Sequence, residues 1–303
     1  MEEVACDLCG ADEYAVVATR GRFGMPLRTV ICRCCGLVYT NPRPSPEQYE
    51  EFYQKRYWGM YKRADVPDER FFQKRVRRIT RFFQELRPWV APGACVLDVG
   101  CGVGALLHLL SEHGATCVGI EPHEEHSRFA RERTGAEVFA GTFEEAAGEL
   151  RRRGARFDVV VFRHVLEHMT SPTRALKLAR ELLREEGVVF LETPNVMYPG
   201  QALGRFFQLA HPYNFSAKTM ALLLRKCGFA PLEIRELDDW TPRERLQAVA
   251  QRAPAPEAID FAHEGQDWRE VVRRLRRHRW LYPLTLGSLR KKLAHLDRLL
   301  GRA

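Results

Sequence analysis

The segment "VLDVGCGVGALL", residues 96–107, decides the fold of this chain. A short apolar run leads into a glycine-rich turn, and an apolar run that suits a helix follows. A strand that enters a helix through such a turn leaves backbone N–H groups and a helix N-terminus free to bind anions. Asp98, however, lies two residues before the first glycine and brings a negative charge to this cradle.

The charge of Asp98 argues against a pyrophosphate in the turn. Residues 100–105 fit the G-x-G-x-x-A pattern of dinucleotide sites, but that pattern alone is weak. Two like unit charges about 4 Å apart repel by roughly 4 kcal/mol at an effective dielectric constant near 20. S-adenosylmethionine carries an ammonium group, a sulfonium and no phosphate, so the same carboxylate would attract it. We therefore expect an S-adenosylmethionine site formed by Asp98, Gly100, Cys101, Gly102 and Gly104.

Five apolar segments alternate with amphipathic helical stretches in the middle of the chain. They are residues 95–99, 116–121, 137–141, 157–163 and 187–193. Nearly continuous apolar runs fit strands that are buried on both faces, and their alternation with helices predicts right-handed crossovers. The expected fold class is α/β, with a doubly wound, mostly parallel, Rossmann-like sheet whose ligand lies at the carboxyl ends of the strands. A sixth strand is plausible at 231–237, but no clear seventh follows it.

Further candidate cofactor contacts follow the predicted strands. Glu121 ends the second strand, where an acid accepts hydrogen bonds from ribose hydroxyls. Thr142 and Phe143 follow the third strand, where an adenine would lie against them, although ordinary core packing is the alternative for Phe143. Arg163 ends the fourth strand and completes the candidate cofactor contacts.

Several of these segments together resemble one enzyme family. "VLDVGCGVG", the acid that ends the second strand, "FDVVVFRHVLEHMTSP" and "HPYNFSAKTMALLLRKCGF" are similar to class I S-adenosylmethionine-dependent methyltransferases. The similarity is greatest to the branch that includes ubiquinone-type O-methyltransferases and many sugar and natural-product methyltransferases. It covers roughly residues 90–238. The resemblance implies a Rossmann-like methyltransferase fold and transfer of a methyl group.

A histidine-rich segment follows the fourth strand. In "RHVLEHM", a helix would place His164, Glu167 and His168 on one face. In similar enzymes that act on catechol-like substrates, an acid-acid-histidine version of this segment holds a divalent metal, but hard cations prefer oxygen ligands and His164 replaces the first acid. A general base is an alternative, since histidine titrates near neutral pH. Hydrogen bonding to nearby backbone is another. His211, in "LAHPYNFS", is the second histidine that we consider for catalysis or acceptor contact.

Two cysteine pairs near the N-terminus predict a metal site. "CDLCG" and "CRCCG" each contain C-x2-C followed by glycine, so Cys6, Cys9, Cys32 and Cys35 could hold zinc in a closed, structural S4 site. Cys34 could replace Cys32 or Cys35 as a ligand, but it does not fit the C-x2-C-glycine spacing. Free or redox-active cysteines are the alternative. The ribbon and the following "GLVYTNPRPS" also resemble the N-terminal portion of a subset of these methyltransferases. We expect zinc removal to unfold residues 1–40 and leave the cofactor domain folded.

Charge and composition narrow the remaining possibilities. The 303 residues carry a net charge of +8, which suggests an acidic partner or a basic host proteome. No apolar run approaches the roughly 18 residues needed to cross a bilayer, and no signal peptide is evident, so we expect a cytoplasmic protein. Basic amphipathic helices are predicted at 67–87 and in the C-terminal segment. The latter could contact an anionic membrane surface or pack as an accessory helical pair.

The sequence thus predicts an enzyme of four parts. They are a zinc ribbon (1–40), a linker with a basic helix (41–90), an S-adenosylmethionine-binding domain (91–238) and a C-terminal helical extension (239–303). We expect methyl transfer to a small-molecule acceptor such as a sugar, a glycan precursor or a natural-product intermediate. A nucleic-acid methyltransferase that uses the ribbon and basic helices is one alternative. A non-catalytic zinc-ribbon scaffold is another.

Overall fold

The glycine turn, residues 100–104, lies at the centre of a seven-stranded sheet in a computed structural model of the chain. The structure describes residues 1–55, 67–238 and 243–284. The described strands, in chain order, are β1 (Tyr14–Arg20), β2 (Pro26–Cys32), β3 (Val38–Thr40), β4 (Cys95–Val99), β5 (Thr116–Glu121), β6 (Glu137–Ala140), β7 (Phe157–Arg163), β8 (Leu183–Pro194), β9 (Tyr213–Asn214), β10 (Phe229–Leu237) and β11 (Arg245–Arg252).

The helices pack on both faces of this sheet. The described α-helices are α1 (Pro46–Lys55), α2 (Glu69–Leu86), α3 (Ala105–Glu112), α4 (Glu124–Thr134), α5 (Phe143–Arg152), α6 (Pro172–Leu182), α7 (Leu203–Phe206), α8 (Ala217–Lys226), α9 (Phe261–Glu264) and α10 (Trp268–Leu281). Cores form on each side, one around α2, α3 and α4 and the other around α5, α6 and α8. The predicted helix at 67–87 is confirmed as α2, and the hydroxyl of Ser216 caps the N-terminus of α8 by accepting a hydrogen bond from the Thr219 N–H.

The large sheet has the order β10-β11-β8-β7-β4-β5-β6. Neighbours from β8 to β6 pair in parallel, and β11 runs antiparallel to both β8 and β10. All five predicted central strands and the sixth are present, so the predicted α/β doubly wound class is confirmed. The parallel strands bring their carboxyl ends to one edge, where the glycine turn and the histidine segment meet.

The seventh strand corrects our expectation for the C-terminal part. Residues 239–303 were expected to be helical without a clear strand, yet Arg245–Arg252 form β11, which is inserted between β8 and β10. Six of its eight residues are buried. The predicted helix in this part begins later, as α10, and residues 285–303 lie outside the described residues. The second helix of the expected accessory pair falls in this segment, so it also lies outside the described residues.

The N-terminal ribbon is joined to the large domain by a shared sheet. Strands β1, β2 and β3 form antiparallel hairpins, and β3 then pairs with β9, which precedes α8. Some of the ribbon's buried residues, among them Val30, Leu37 and Tyr39, belong to the same hydrophobic core as the strands and helices of one face of the large sheet. Leu27, Ile31 and Val38 instead lie in a separate core with residues of α7 and α10. Among the described helices, none combines the length and apolar character that a membrane span requires.

Candidate active site

The backbone of the glycine turn has conformations that favour glycine. Gly100 has a φ of 75°, and a Cβ atom there would lie 2.5 Å from Cγ2 of Val165. Gly102 has a φ of 57°, but a Cβ at this position would meet no atom within 4 Å. The first glycine is therefore enforced by packing, whereas the second leaves open space beside the turn. That space is where a ligand's atoms can approach the backbone.

Two acids lie close to the turn, Glu121 at the end of β5 and Asp98 in β4. Glu121 accepts hydrogen bonds from the backbone N–H groups of Gly102 and His123, each at 2.9 Å. Asp98 lies deeper and is only 3% exposed. None of the residues that the structure describes donates a hydrogen bond to its carboxylate. Glu121 therefore shapes the turn, while Asp98 supplies a buried charge beneath it.

The buried position of Asp98 changes its titration. Desolvation raises its pKa; the positive charge of Arg163 opposes this rise and the carboxylate of Glu121 adds to it, so that the pKa reaches about 7. A ligand that brought positive charge into the site would stabilise the ionised form. Asp98 thus has the charge and burial expected of a group that favours a cationic ligand.

The residues predicted to contact adenine lie next to each other but in different surroundings. Thr142 is the N-cap of α5, and its hydroxyl accepts a hydrogen bond from the backbone N–H of Glu145 at 3.3 Å. The ring of Phe143 is 3% exposed and packs edge-on against Phe162, with centroids 5.4 Å apart. This position fits the packing alternative for Phe143 rather than a stacked adenine.

The histidine segment after β7 does not form an α-helix. Only Leu166–His168 form a turn of 3₁₀-helix, and His164 has a left-handed φ of 53°. The turn still gathers the predicted side chains, because Nδ1 of His164 lies 3.3 Å from Oε1 of Glu167. His164, Glu167 and His168 therefore do not share a helix face, although the turn brings His164 and Glu167 together.

His211 completes this group from a distant part of the chain. One carboxylate oxygen of Glu167 and one ring nitrogen each of His168 and His211 lie within 4.8 Å of one another. The two imidazole rings pack edge-on with centroids 4.6 Å apart. We refer to Glu167, His168 and His211 as the acid–histidine cluster. The sequence predicted each member but not that all three would meet.

Burial and mutual charges shift the pKa values of Glu167 and His211 in the acid–histidine cluster. Burial alone would raise the pKa of Glu167, but the hydrogen bond from His164 and the charges of the nearby histidines outweigh it and lower the pKa to about 2. For His211, burial and the charge of His168 lower the pKa to about 3, against the opposing effect of Glu167. At neutral pH the cluster therefore contains a buried carboxylate and a neutral His211. Oε2 of Glu167 accepts no hydrogen bond from the described residues.

A buried ionic network that the sequence reasoning missed supports the site from below. Glu192, at the end of β8, is fully buried and lies 2.6 Å from Nη1 of Arg245 and 3.3 Å from Nε of Arg163. Its Oε1 is also 3.5 Å from Nε2 of His164. Arg163 therefore bridges the surroundings of Asp98 and Glu192. A charged residue at the end of the fifth predicted strand was the available signal.

The aromatic residues after β8 contribute mainly to packing. Four aromatic side chains between β8 and α8 are at most 4% exposed, namely Phe206, Phe207, Tyr213 and Phe215. Tyr198 instead lies beneath the guanidinium of Arg274, whose Cζ is 3.9 Å from the ring centroid. These rings therefore pack within the protein, and the polar groups at this edge are those of the acid–histidine cluster.

The four predicted zinc ligands converge as the cysteine spacing requires. The Sγ atoms of Cys6 and Cys35, and those of Cys9 and Cys32, are each 3.5 Å apart, and all four lie within 4.8 Å of one another. Tetrahedral zinc with bonds near 2.3 Å sets its sulfur atoms about 3.8 Å apart. Cys34 does not belong to the group. The arrangement therefore fits zinc.

Asp7, which lies between the zinc-ligand candidates Cys6 and Cys9, binds the segment that follows Glu167 and His168. The carboxylate of Asp7 accepts hydrogen bonds from the hydroxyl of Ser171 at 2.7 Å and from the N–H of Thr173 at 2.9 Å. Nζ of Lys226 donates to the backbone oxygen of Asp7 at 2.7 Å. The ribbon therefore anchors the start of α6 as well as β9.

The sheet order, the glycine turn and the buried acid beside it define an S-adenosylmethionine-dependent methyltransferase. A profile described as a methyltransferase domain matches residues 71–234, and the chain belongs to this family. The ubiquinone biosynthesis O-methyltransferase of Haemophilus ducreyi is 31% identical over 163 residues, which are 49% of this chain and 69% of that protein. The Coxiella burnetii enzyme of the same name is 32% identical over 104 residues, 34% of this chain and 44% of its own.

A solved structure shares the fold more widely. The 1,6-didemethyltoxoflavin-N1-methyltransferase of Burkholderia thailandensis, crystallised with 1,6-didemethyltoxoflavin and S-adenosylhomocysteine, aligns with 78% of this chain and 100% of its own. The TM-score is 0.55 and the sequence identity is 20%. This similarity supports the common methyltransferase fold.

Proposed function

We propose that this enzyme transfers the methyl group of S-adenosylmethionine to a hydroxyl oxygen of a small molecule bound at the acid–histidine cluster. The observation that carries the proposal is the buried carboxyl group of Glu167, whose Oε2 accepts no hydrogen bond from the described residues. A hydroxyl has one proton to donate and lone pairs that accept, so it can donate to one imidazole of the cluster and accept from the other, while this carboxylate oxygen offsets the positive charge that the proton brings to the ring.

The cofactor would lie over the glycine turn. Asp98 would attract its positive charge, Glu121 would face the ribose and Thr142 the adenine, while Gly100, Cys101, Gly102 and Gly104 present the turn backbone. Arg163 would set the charge balance beside Asp98 and stays a candidate cofactor contact at the end of β7. When bound, S-adenosylmethionine supplies an electrophilic methyl group for an in-line displacement, which the enzyme favours by holding the acceptor in line.

We assign proton removal to His168. The acceptor's proton would pass from oxygen to an imidazole nitrogen of His168. The oxygen's electron pair would form the new bond to the methyl carbon as the bond from that carbon to the sulfonium sulfur breaks, with its electron pair going to sulfur and S-adenosylhomocysteine leaving. The ionised Glu167 would then stabilise the imidazolium. His164 acts indirectly, since it lies between Glu167 and Glu192 and holds the carboxylate in place.

The acceptor is proposed as a hydroxylated small molecule, such as a phenol, a sugar or a natural-product intermediate. The two relatives named in ubiquinone biosynthesis are O-methyltransferases, which favours oxygen as the methylated atom. The cysteine group is proposed as a closed structural zinc site, because all four positions of the metal would be filled by sulfur.

The test uses labelled S-adenosylmethionine and a panel of phenolic, sugar and amine acceptors. We expect label in a hydroxylated acceptor, and we expect His168→Ala to lower kcat by about 10²- to 10⁴-fold with cofactor affinity retained. His263→Ala, an exposed histidine on α9, is the matched control and should be silent. Transfer to amines alone, or full activity of His168→Ala, would overturn the proposal. Calorimetry with NAD should detect no binding.

A further inference from the structure

We propose that Arg22 and Gln208 fix the tautomer of His211, so that His211 carries its proton on Nδ1 and acts as a hydrogen-bond donor to the acceptor oxygen. This inference rests on the proposed function for the donor role, although the tautomer itself does not depend on it. Gln208 and Arg22 are positioning residues, since they act through His211.

The orientation of the Gln208 amide follows from its two partners. Nη1 of Arg22 lies 3.2 Å from Oε1 of Gln208, and Nε2 of Gln208 lies 2.8 Å from Nε2 of His211. Arginine has only N–H donors, so the amide oxygen must face Arg22 and the amide NH₂ must face His211. Gln208 is 6% exposed, so water competes little for these contacts.

The amide then determines which nitrogen of His211 is protonated. Nε2 accepts a hydrogen bond from Gln208, so it carries no proton, and the neutral ring holds its proton on Nδ1. The charged and titratable groups around the ring are Arg22 from the ribbon and His164, Glu167 and His168 from the turn after β7. Burial, His168, His164 and Arg22 all oppose a second proton, and only Glu167 favours it.

This tautomer separates the roles of the two cluster histidines. A protonated Nδ1 cannot accept a proton or ligate a metal, and the lone pair of Nε2 is engaged by Gln208. His211 is therefore neither the base nor a ligand in a metal site with Glu167 and His168. It remains a donor that can hold an acceptor oxygen while His168 takes the proton.

The restraint comes from the N-terminal ribbon. Arg22 lies in the turn between β1 and β2, and its backbone N–H donates to the carbonyl oxygen of Phe207 at 2.8 Å. The ribbon thus contacts both the backbone before Gln208 and the side chain of Gln208. A part of the chain outside the cofactor domain thereby sets the protonation pattern of the acceptor site.

The test is the ¹⁵N signature of His211 in full-length protein labelled on histidine, with His211→Ala used to assign the signal. We expect the Nδ1–H tautomer in the wild type. In Gln208→Glu the carboxylate only accepts hydrogen bonds, so we expect the proton on Nε2 or a doubly protonated ring. Gln48→Glu, the same change at an exposed position on α1, should leave the signal unaltered.

The activity measurements separate this inference from the proposed function. If both hold, Gln208→Glu lowers kcat at least tenfold and changes the pH profile, while cofactor affinity stays the same. An Nε2–H tautomer in the wild type, or an unchanged signal in Gln208→Glu, overturns the inference whatever the activity. The expected tautomer without transfer to any hydroxylated acceptor would overturn the proposed function and leave the tautomer assignment standing.

Discussion

Replacing Asp98 by asparagine should stabilise the cofactor-free protein at neutral and higher pH. The folded protein raises the pKa of this carboxyl from 3.8 to about 7 because burial disfavours its charge. The native state therefore binds the proton more tightly than the unfolded state, and stability is lost as the pH rises between these two values. At 1.36 kcal/mol per pH unit, the loss is about 4 kcal/mol above pH 7.

Asparagine does not ionise, so Asp98→Asn avoids this loss. Urea denaturation at pH 8 should find the variant more stable by up to about 4 kcal/mol, and at pH 5 by less than about 2 kcal/mol. Asp158→Asn is the matched control on β7. Burial would raise the pKa of Asp158, but its hydrogen bond from the Cys95 N–H and its contact with Arg184 lower it, so the substitution should destabilise.

Cofactor affinity should rise with pH over the range in which the stability of the cofactor-free protein falls. A bound cation stabilises ionised Asp98, so affinity should rise up to tenfold per pH unit towards pH 7 and level off above it. Calorimetry should find Asp98→Asn weaker by about tenfold or more at pH 8, without that pH dependence. Equal stability of variant and wild type at pH 8, or a difference that does not shrink towards pH 5, would refute the reasoning.

Three further perturbations test separate parts of the structure. Gly100→Ala should lower the stability of the fold and abolish cofactor binding, because its Cβ atom would clash with Val165 in addition to about 1–2 kcal/mol of left-handed backbone strain. In melting experiments, Gly102→Ala should lose only the stability that corresponds to this strain. Phe143→Ala should cost about 3–5 kcal/mol in urea denaturation with cofactor affinity of the folded fraction retained, since the ring is a core residue; selective loss of affinity would instead support stacking. Zinc chelation should expose both residues 1–40 and the 207–216 segment to protease, because β3 and β9 share a sheet, and an unchanged digestion pattern would contradict the metal assignment.

The central strands could be predicted because strands that are buried on both faces consist of nearly continuous apolar residues. β4, β5 and β7 have the expected bounds, and the turn after β4 carries its glycines where the backbone needs them. β11 was not predicted because the polar residues Arg245 and Gln247 interrupt its apolar sequence. Both side chains are buried only because Glu85 and Glu192, far away in sequence, pair with them.

The site was predicted residue by residue more easily than as an arrangement. His168 and His211 could be singled out by chemistry, but their edge-on contact depends on where β9 places residue 211. The segment after β7 forms a 3₁₀ turn and not a helix, since His164 adopts a left-handed conformation between two buried acids. Such long-range partners leave no periodic signal in a single sequence.

The pairing of β3 with β9 has a consequence for synthesis of the chain. Val38 and Tyr39 pair with Asn214 and Tyr213, about 175 positions further along. At translation rates of about 5–20 residues per second, the N-terminal hairpins wait roughly 9–35 seconds for their fourth strand. During this interval the outer side of β3 is an open sheet edge bearing residues that end up fully buried, so the nascent ribbon passes through a stage in which a chaperone or another nascent chain can pair with it before its own strand arrives.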